Sequence, residues 1–233
     1  PILTPNYVTN NFRTRNSTNA LYAQASYALT DSLKITAGLR YTWEKVRMSQ
    51  LPLATYTANA PGQHKKFSDP SWEVGLEYQA TPELFAYLKT RGSFRSGGFN
   101  GAAPPINQTA TGGGNIFGSE HTQDIEGGLK YRGELFGRPA TVNTAMFIQW
   151  IQNVQRVEFP DPDGPGGLAS IAVTANVPST RVWGGEIEVT LRPADILEIG
   201  GQAAIAFHEG RLFPSAQGFG DGAQQLQRIG RLR

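Results

Sequence analysis

The sequence predicts an all-β chain: about eight long antiparallel strands forming part of an up-and-down transmembrane β-barrel. Three observations carry this. Apolar and polar residues alternate with a period of two. The alternating runs are roughly ten to sixteen residues long, against a usual globular strand of about five to six. The connections between them are alternately short and long.

Taken along the chain, the first run sets Leu21, Ala23, Ala25, Tyr27 and Leu29 against Tyr22, Gln24 and Ser26. The second is the cleanest: Leu33, Ile35, Ala37, Leu39, Tyr41 and Trp43 alternate with Lys34, Thr36, Gly38, Arg40, Thr42 and Glu44. A helix would scatter these residues around its axis, whereas a strand puts them on opposite faces. The third opposes Trp72, Val74, Leu76 and Tyr78 to Glu73, Gly75, Glu77 and Gln79. The fourth opposes Leu84, Ala86 and Leu88 to Lys89, Arg91 and Arg95. The fifth sets Ile125, Gly127, Leu129 and Tyr131 against Asp124, Glu126, Lys130 and Arg132. In the sixth, Val142, Met146, Ile148 and Trp150 oppose Asn143 and Gln149, with Phe147 and Ile151 out of pattern. The seventh opposes Ile187, Val189 and Leu191 to Glu186 and Glu188. In the last, Leu197, Ile199, Ala203, Ile205 and Phe207 oppose Glu198, Gln202 and His208. Short turns are expected at Thr30-Asp31-Ser32, Thr81-Pro82-Glu83, 134–138 and Pro193-Ala194-Asp195, and long Gly/Pro/Asn-rich loops at about 49–68, 98–119, 159–178 and from 210 onward.

Composition narrows the class. The chain has 233 residues, a net charge of +2, 27 glycines, 17% charged residues and no cysteine. It is too apolar and aromatic to be disordered. Without cysteine it is neither a disulfide scaffold nor a cysteine-based zinc module. No run reaches the roughly 18–20 apolar residues of a membrane helix, and a surplus of two positive charges is weak support for nucleic-acid binding. Both termini read as cuts, so the chain is expected to be a piece of something longer.

A membrane-spanning strand needs about 9–11 residues. Backbone groups in lipid must all be paired, so spanning sheets close into barrels. Bacterial barrels have short turns at one end, long loops at the other, an apolar outer face, a polar lumen and aromatic girdles at the interfaces. Tyr41, Trp43, Tyr78, Phe94, Tyr131, Trp150, Trp183 and Phe207 all fall near strand ends, as a girdle requires. The polar face carries both signs, from Lys34 and Arg40 through Glu73, Glu77, Lys89, Arg91, Asp124, Glu126 and Lys130 to Glu186, Glu188 and Glu198. The interior of a small barrel is filled by side chains and holds so many charges only with dense pairing. The eight strands therefore read as a segment of a larger barrel.

Several runs resemble a known family. Arg91-Gly92-Ser93-Phe94-Arg95-Ser96-Gly97-Gly98-Phe99-Asn100-Gly101 resembles the Gly-Phe-Arg-Ser-Gly-Gly-Phe-Asn run of TonB-dependent outer-membrane receptors. Leu33 to Glu44, Glu126 to Lys130 and Asn176 to Val189 resemble three further strands of that family, in family order. The resemblance spans roughly residues 18–209. It implies a 22-stranded barrel with a plug inside, in the outer membrane of a Gram-negative bacterium. It also implies TonB-coupled uptake of a scarce bulky ligand: a ferric siderophore, haem, a vitamin or a carbohydrate. On this reading residues 1–233 are a partial barrel domain lacking plug, TonB-binding segment and final strands; residues 222–233 match nothing in the family pattern. The expected partners are the outer-membrane bilayer, the TonB complex through the missing plug region, and an iron chelate or other nutrient, with no nucleic acid. The segment alone is not expected to transport.

The candidate substrate-path residues are Arg40, Lys89, Arg91, Arg95, Phe99 and Asn100. The glycine run lacks the Lys-Ser/Thr of a phosphate loop. Its glycines either permit the turn where a strand leaves the membrane, or Arg95 and Phe99 line the route of an anionic, partly aromatic ligand. His64 lies in a loop, and His121 and His208 near extracellular strand ends; the sequence reads them as surface or rim residues, not as a metal site. Asp161-Pro162-Asp163-Gly164 lacks the later Glu of a calcium loop and reads as a turn. The pairs Glu73/Glu77 and Glu186/Glu188 read as lumen carboxylates paired with Arg or Lys on neighbouring strands, not as a glycosidase dyad. No nucleophile elbow appears, so the sequence assigns no catalytic residue, cofactor or metal and the chain is not expected to be an enzyme. Rival readings are a passive porin or autotransporter barrel, a soluble carbohydrate-binding β-sandwich and, last, an outer-membrane hydrolase.

Overall fold

A computed structural model describes residues 12–50, 63–101, 115–158 and 172–210. The eight expected runs form one antiparallel sheet, and two short ribbons fall within the long connections. In chain order the strands are β1 (Phe12–Ala28), β2 (Leu33–Gln50), β3 (Gln63–Gln79), β4 (Leu84–Arg95), β5 (Gly98–Phe99) and β6 (Ile116–Phe117), then β7 (Glu120–Leu135), β8 (Arg138–Gln152), β9 (Val154–Glu158), β10 (Val173–Val177), β11 (Thr180–Ala194) and β12 (Leu197–Gly210). The sheet order is β1-β2-β3-β4-β7-β8-β11-β12, an up-and-down meander whose first and last strands are its edges. The described residues contain no helix.

The turns follow from local chemistry. Thr30 Oγ1 accepts from the backbone N–H of Ser32 and Leu33, and Thr81 Oγ1 accepts from those of Glu83 and Leu84. The two short turns thus share one threonine-anchored design. The third is a two-residue hairpin turn at Phe136-Gly137, both with positive φ (55° and 70°), as a turn matched to strand twist requires. The fourth is Asp195-Ile196, preceded by a register shift between Leu191 and Ala194.

Register sorts the side chains as the alternation predicts. Leu39 lies opposite Ala23 and Trp72, and Arg40 opposite Tyr22 and Ser71. The apolar face is open: Leu39 is 57% exposed and Met146 77%. Unpartnered apolar surface on this scale marks an interface or a membrane. Aromatic residues sit at both ends of that face. Tyr27, Tyr78 and Tyr131 lie towards the short turns. Tyr41 and Trp43 (ring centroids 4.8 Å apart) and Trp183 and Phe207 (5.8 Å) lie towards the long connections.

The long connections differ from expectation at their edges. β2 runs to Gln50 and β3 starts at Gln63, so the expected 49–68 loop is partly strand, paired as far as Met48↔Gln63. The expected 98–119 loop contains the β5–β6 ribbon, and 159–178 contains β10, which pairs with β9. The reason is packing that periodicity does not display. The polar-face positions turn apolar here: Val46 and Met48 are 2% exposed, and Phe67 and Val173 are also buried. This small core lies where β5 meets β2 and β6 meets β10.

Candidate functional site: a charged wall beneath a hydrogen-bonded cap

The charged face is organised in rows that cross the strands. One row runs Gln24, Gly38, Glu73, Arg91, Asp124, Gln149 from β1 to β8. Gly38 leaves room for Gln24 Nε2 to reach across and donate to Glu73 Oε1 at 2.8 Å. Arg91 holds Asp124 at 2.8 Å and Glu126, one row down, at 3.3 Å. Lys89 pairs with Glu126 at 2.8 Å, and the Tyr87 hydroxyl donates to Glu126 Oε1 at 2.9 Å. Lys34 pairs with Glu77 at 2.7 Å one row further towards the turns. Direct cross-strand placement of opposite charges makes these contacts favourable.

A cavity of about 580 Å³ opens on this face, lined among others by Tyr22, Arg40, Glu73, Arg91 and Asp124. A second, of about 420 Å³, lies nearer the turns beside Tyr87, Lys89 and Lys130. Of the six candidate path residues, Arg40 and Arg91 meet in the first cavity and Lys89 lines the second. Arg40 donates through Nε to Thr42 Oγ1 at 3.2 Å, and Arg95 is exposed at the end of β4. Neither Arg40 nor Arg95 forms an ion pair among the described residues.

Phe99 and Asn100 lie in the cap instead. Phe99 pairs with Ile116 in the β5–β6 ribbon. Asn100 is 8% exposed; its Nδ2 donates to Thr174 O and its Oδ1 accepts from Thr174 N, both at 2.8 Å. It thus mimics a backbone pairing between two connections 74 residues apart in sequence.

Sequence reasoning missed two further cap residues. Gln155 Nε2 donates to the carbonyls of Ser96 and Gly118, both at 3.0 Å, and its N–H donates to Glu120 Oε2 at 2.7 Å. Asn176 accepts from Gly118 N through Oδ1 and donates to Gly118 O and Asn153 O. Asn176 opens one of the family-like runs, which was a usable signal; Gln155 carries none. Ser96 of the glycine run donates to Glu44 Oε2 at 2.8 Å, tying it back to β2.

The remaining candidates fall as follows. Glu77 has the expected Lys partner, whereas Glu73 and Glu188 take the amides of Gln24 and Asn143. His121 Nε2 lies 3.2 Å from Asp69 Oδ1. His121 is on β7 and His208 on β12, with β8 and β11 between them. Among the described residues no group of three or more His, Cys, Asp or Glu is arranged to hold a metal. Residues 161–164 lie outside the described residues.

Among solved structures, the chain is similar to the ferric yersiniabactin uptake receptor FyuA from Yersinia pestis (TM-score 0.63, 19% identity, covering 88% of this chain and 29% of that one). It is also similar to the FrpB iron transporter from Neisseria meningitidis (0.60, 18%, 90% and 28%). A third is the alcaligin outer-membrane receptor FauA from Bordetella pertussis (0.55, 18%, 85% and 31%). The chain spans about three-tenths of the length of these structures. No curated protein matches the sequence. The family model described as "TonB dependent receptor-like, beta-barrel" matches residues 1–229, and the chain therefore belongs to the TonB-dependent receptor β-barrel family.

Proposed function

We propose that this chain is part of the wall of an outer-membrane receptor that imports a bulky, scarce, anionic ligand by TonB-coupled transport. A ferric siderophore is the favoured cargo class, with haem, a vitamin or a carbohydrate as the alternatives. The observation that carries the reading is the ascent of arginines along the charged face. Arg91 and Arg40 line one cavity, and Arg95 stands at the extracellular end of β4. Arg40 and Arg95 have no acidic partner among the described residues, so their charge is available to a ligand. Guanidinium groups bind planar carboxylate and catecholate-like oxygens through two parallel hydrogen bonds. The cap, with Phe99 and Asn100, forms the floor of the extracellular mouth on this reading. A plug and a TonB-binding segment elsewhere in the full-length receptor supply the gate and the energy.

The test is uptake of radioiron carried by a panel of siderophores in iron-starved cells expressing the full-length receptor. One siderophore should be taken up in a TonB-dependent manner. Arg40→Gln combined with Arg95→Gln should weaken its binding by about tenfold or more, the worth of one or two charge-assisted hydrogen bonds. Uptake that persists without TonB would instead favour a passive porin.

A further inference from the structure

We propose that Glu120 is a built-in competitor for Arg95, and that the docking of β9 through Gln155 keeps it disengaged, so that the guanidinium stays free for an anionic ligand. The inference rests on the reading of Arg95 as a ligand-binding cation and adds the control of that residue.

The β4–β7 ladder repeats one arrangement three times. On the charged face Lys89 lies opposite Glu126, Arg91 opposite Asp124 and Arg95 opposite Glu120. Side chains so opposed have their β carbons only about 4.5–5.5 Å apart, and opposite charges there attract. The first two pairs close accordingly, Lys89 on Glu126 and Arg91 on Asp124, both at 2.8 Å. The third stays open: among the described residues Arg95 forms no ion pair. Register puts Glu120 within reach of Arg95, and something else holds it away.

What holds it is β9. The backbone N–H of Gln155 donates to Glu120 Oε2 at 2.7 Å. The side chain of the same residue fixes that donor in place, since Nε2 reaches the carbonyls of Ser96 and Gly118, both at 3.0 Å. β9 is thereby clamped over the end of β4 and the start of β7. The carboxylate of Glu44, which reaches Ser96 beside Arg95, is occupied as well, by the Ser96 hydroxyl at 2.8 Å. Exposure agrees with this division: Glu120 is half-buried under the clamp and Arg95 is exposed.

The consequence is a switch. With β9 docked, Arg95 presents an unoccupied fork of donors to a carboxylate or catecholate-like oxygen. With β9 displaced, Glu120 loses its donor and the guanidinium across the ladder becomes its partner, as in the two pairs below. An anionic ligand must then displace an internal carboxylate before it binds. The cap thus sets the affinity of the mouth without touching the ligand.

The test uses the full-length receptor in outer-membrane vesicles and phenylglyoxal, which modifies guanidinium groups and reacts more slowly with those held by a carboxylate. The adduct at Arg95 is quantified by peptide mass spectrometry, and in the wild type it should form faster than that at the paired Arg91. Gln155→Ala unclamps β9, and Gln155→Pro removes the N–H itself. Either should slow modification of Arg95 by about three- to fivefold, the worth of an exposed ion pair. Adding Glu120→Gln should restore the wild-type rate in both, because the competing charge is gone, and Glu120→Gln alone should leave the rate unchanged. The siderophore picked out by the uptake panel should bind more weakly by a similar factor in the Gln155 variants and recover with Glu120→Gln. A heat-modifiable band on unboiled gels confirms that each variant has folded. Faster modification in the Gln155 variants, no change in either, or a slowing that Glu120→Gln fails to reverse would each overturn the proposal. The expected phenylglyoxal pattern with no siderophore taken up would count against the cargo reading alone.

Discussion

Among the described residues, aromatic rings lie directly across from glycines at four places: Trp72 opposite Gly92, Tyr87 opposite Gly128, Phe147 opposite Gly184 and Phe117 opposite Gly98. A β carbon at Gly128 would come within 2.6 Å of the Tyr87 ring, and one at Gly98 within 2.8 Å of Phe117. Each ring covers the bare backbone of the neighbouring strand, as designed sheets do when an aromatic rescues a glycine. This accounts for Phe147, which breaks the alternation on the charged face. At Gly184 the added carbon would also meet the Ile205 carbonyl, which cannot swing aside. Gly184→Val should therefore cost about 1–3 kcal/mol, read as a lower urea midpoint of the folded barrel. Gly200→Ala, whose nearest neighbour would be Thr190 Oγ1 at 3.6 Å, should leave the midpoint unchanged. Among the charges of the described residues, Arg91 is the hinge of its network, since it alone there contacts both Asp124 and Glu126. Arg91→Ala should destabilise by about 1–3 kcal/mol by leaving Asp124 without a cation. Adding Asp124→Leu should recover part of the loss in the same unfolding measurement.

For a single strand, the consequence of the alternation is that adjacent residues live in different solvents. Leu39 shares the apolar face with Ala23 and Trp72, and Arg40 the opposite face with Tyr22 and Ser71. Leu39→Arg should block assembly, costing about 2–4 kcal/mol near the bilayer midplane, while Arg40→Leu should be far milder. The fraction of receptor recovered as the folded band after membrane assembly compares them; equal losses would refute the facing. β3 shows a second property of an element. It pairs with β2 along nearly its whole length but with β4 only from Gln79 to Trp72. Pro70, which has no N–H to donate, lies just beyond the last β3–β4 pair. Above that point β1, β2 and β3 continue as a three-stranded extension, and the inner faces of β2 and β3 contribute Val46, Met48 and Phe67 to the core of the cap. The strand over 63–68 was illegible in sequence because Gln63, His64, Lys65, Lys66 and Ser68 leave Phe67 as a lone apolar residue, with no alternation to detect.

Across the whole molecule, the cap depends on contacts between connections distant in sequence. Asn100→Ala would strip two hydrogen bonds from Thr174 and leave its half-buried backbone N–H and C=O without them, at about 1–3 kcal/mol. The loss should be local. Faster proteolytic nicking of the long connections is expected, with the unfolding midpoint of the barrel little changed. The mean hydropathy of −0.34 belongs to this scale too. It averages an apolar face and a charged face, so it conceals a surface that is apolar where Leu39 and Met146 lie.

From sequence alone came the eight long strands, their facing, the short turns and the family, because a period of two and the Thr-, Pro- and Gly-based turns are local properties of the chain. That Arg40, Lys89 and Arg91 share the charged face was legible for the same reason: parity decides the face. Only the tertiary structure decided which charges pair, that Asn100 and Gln155 tie the cap together, and that Glu120 turns from Arg95 to Gln155. Those facts depend on register between strands and on contacts tens of residues apart. Hydrogen bonds and ion pairs form between neighbours in space, and the order of residues along one strand does not specify what lies across from it.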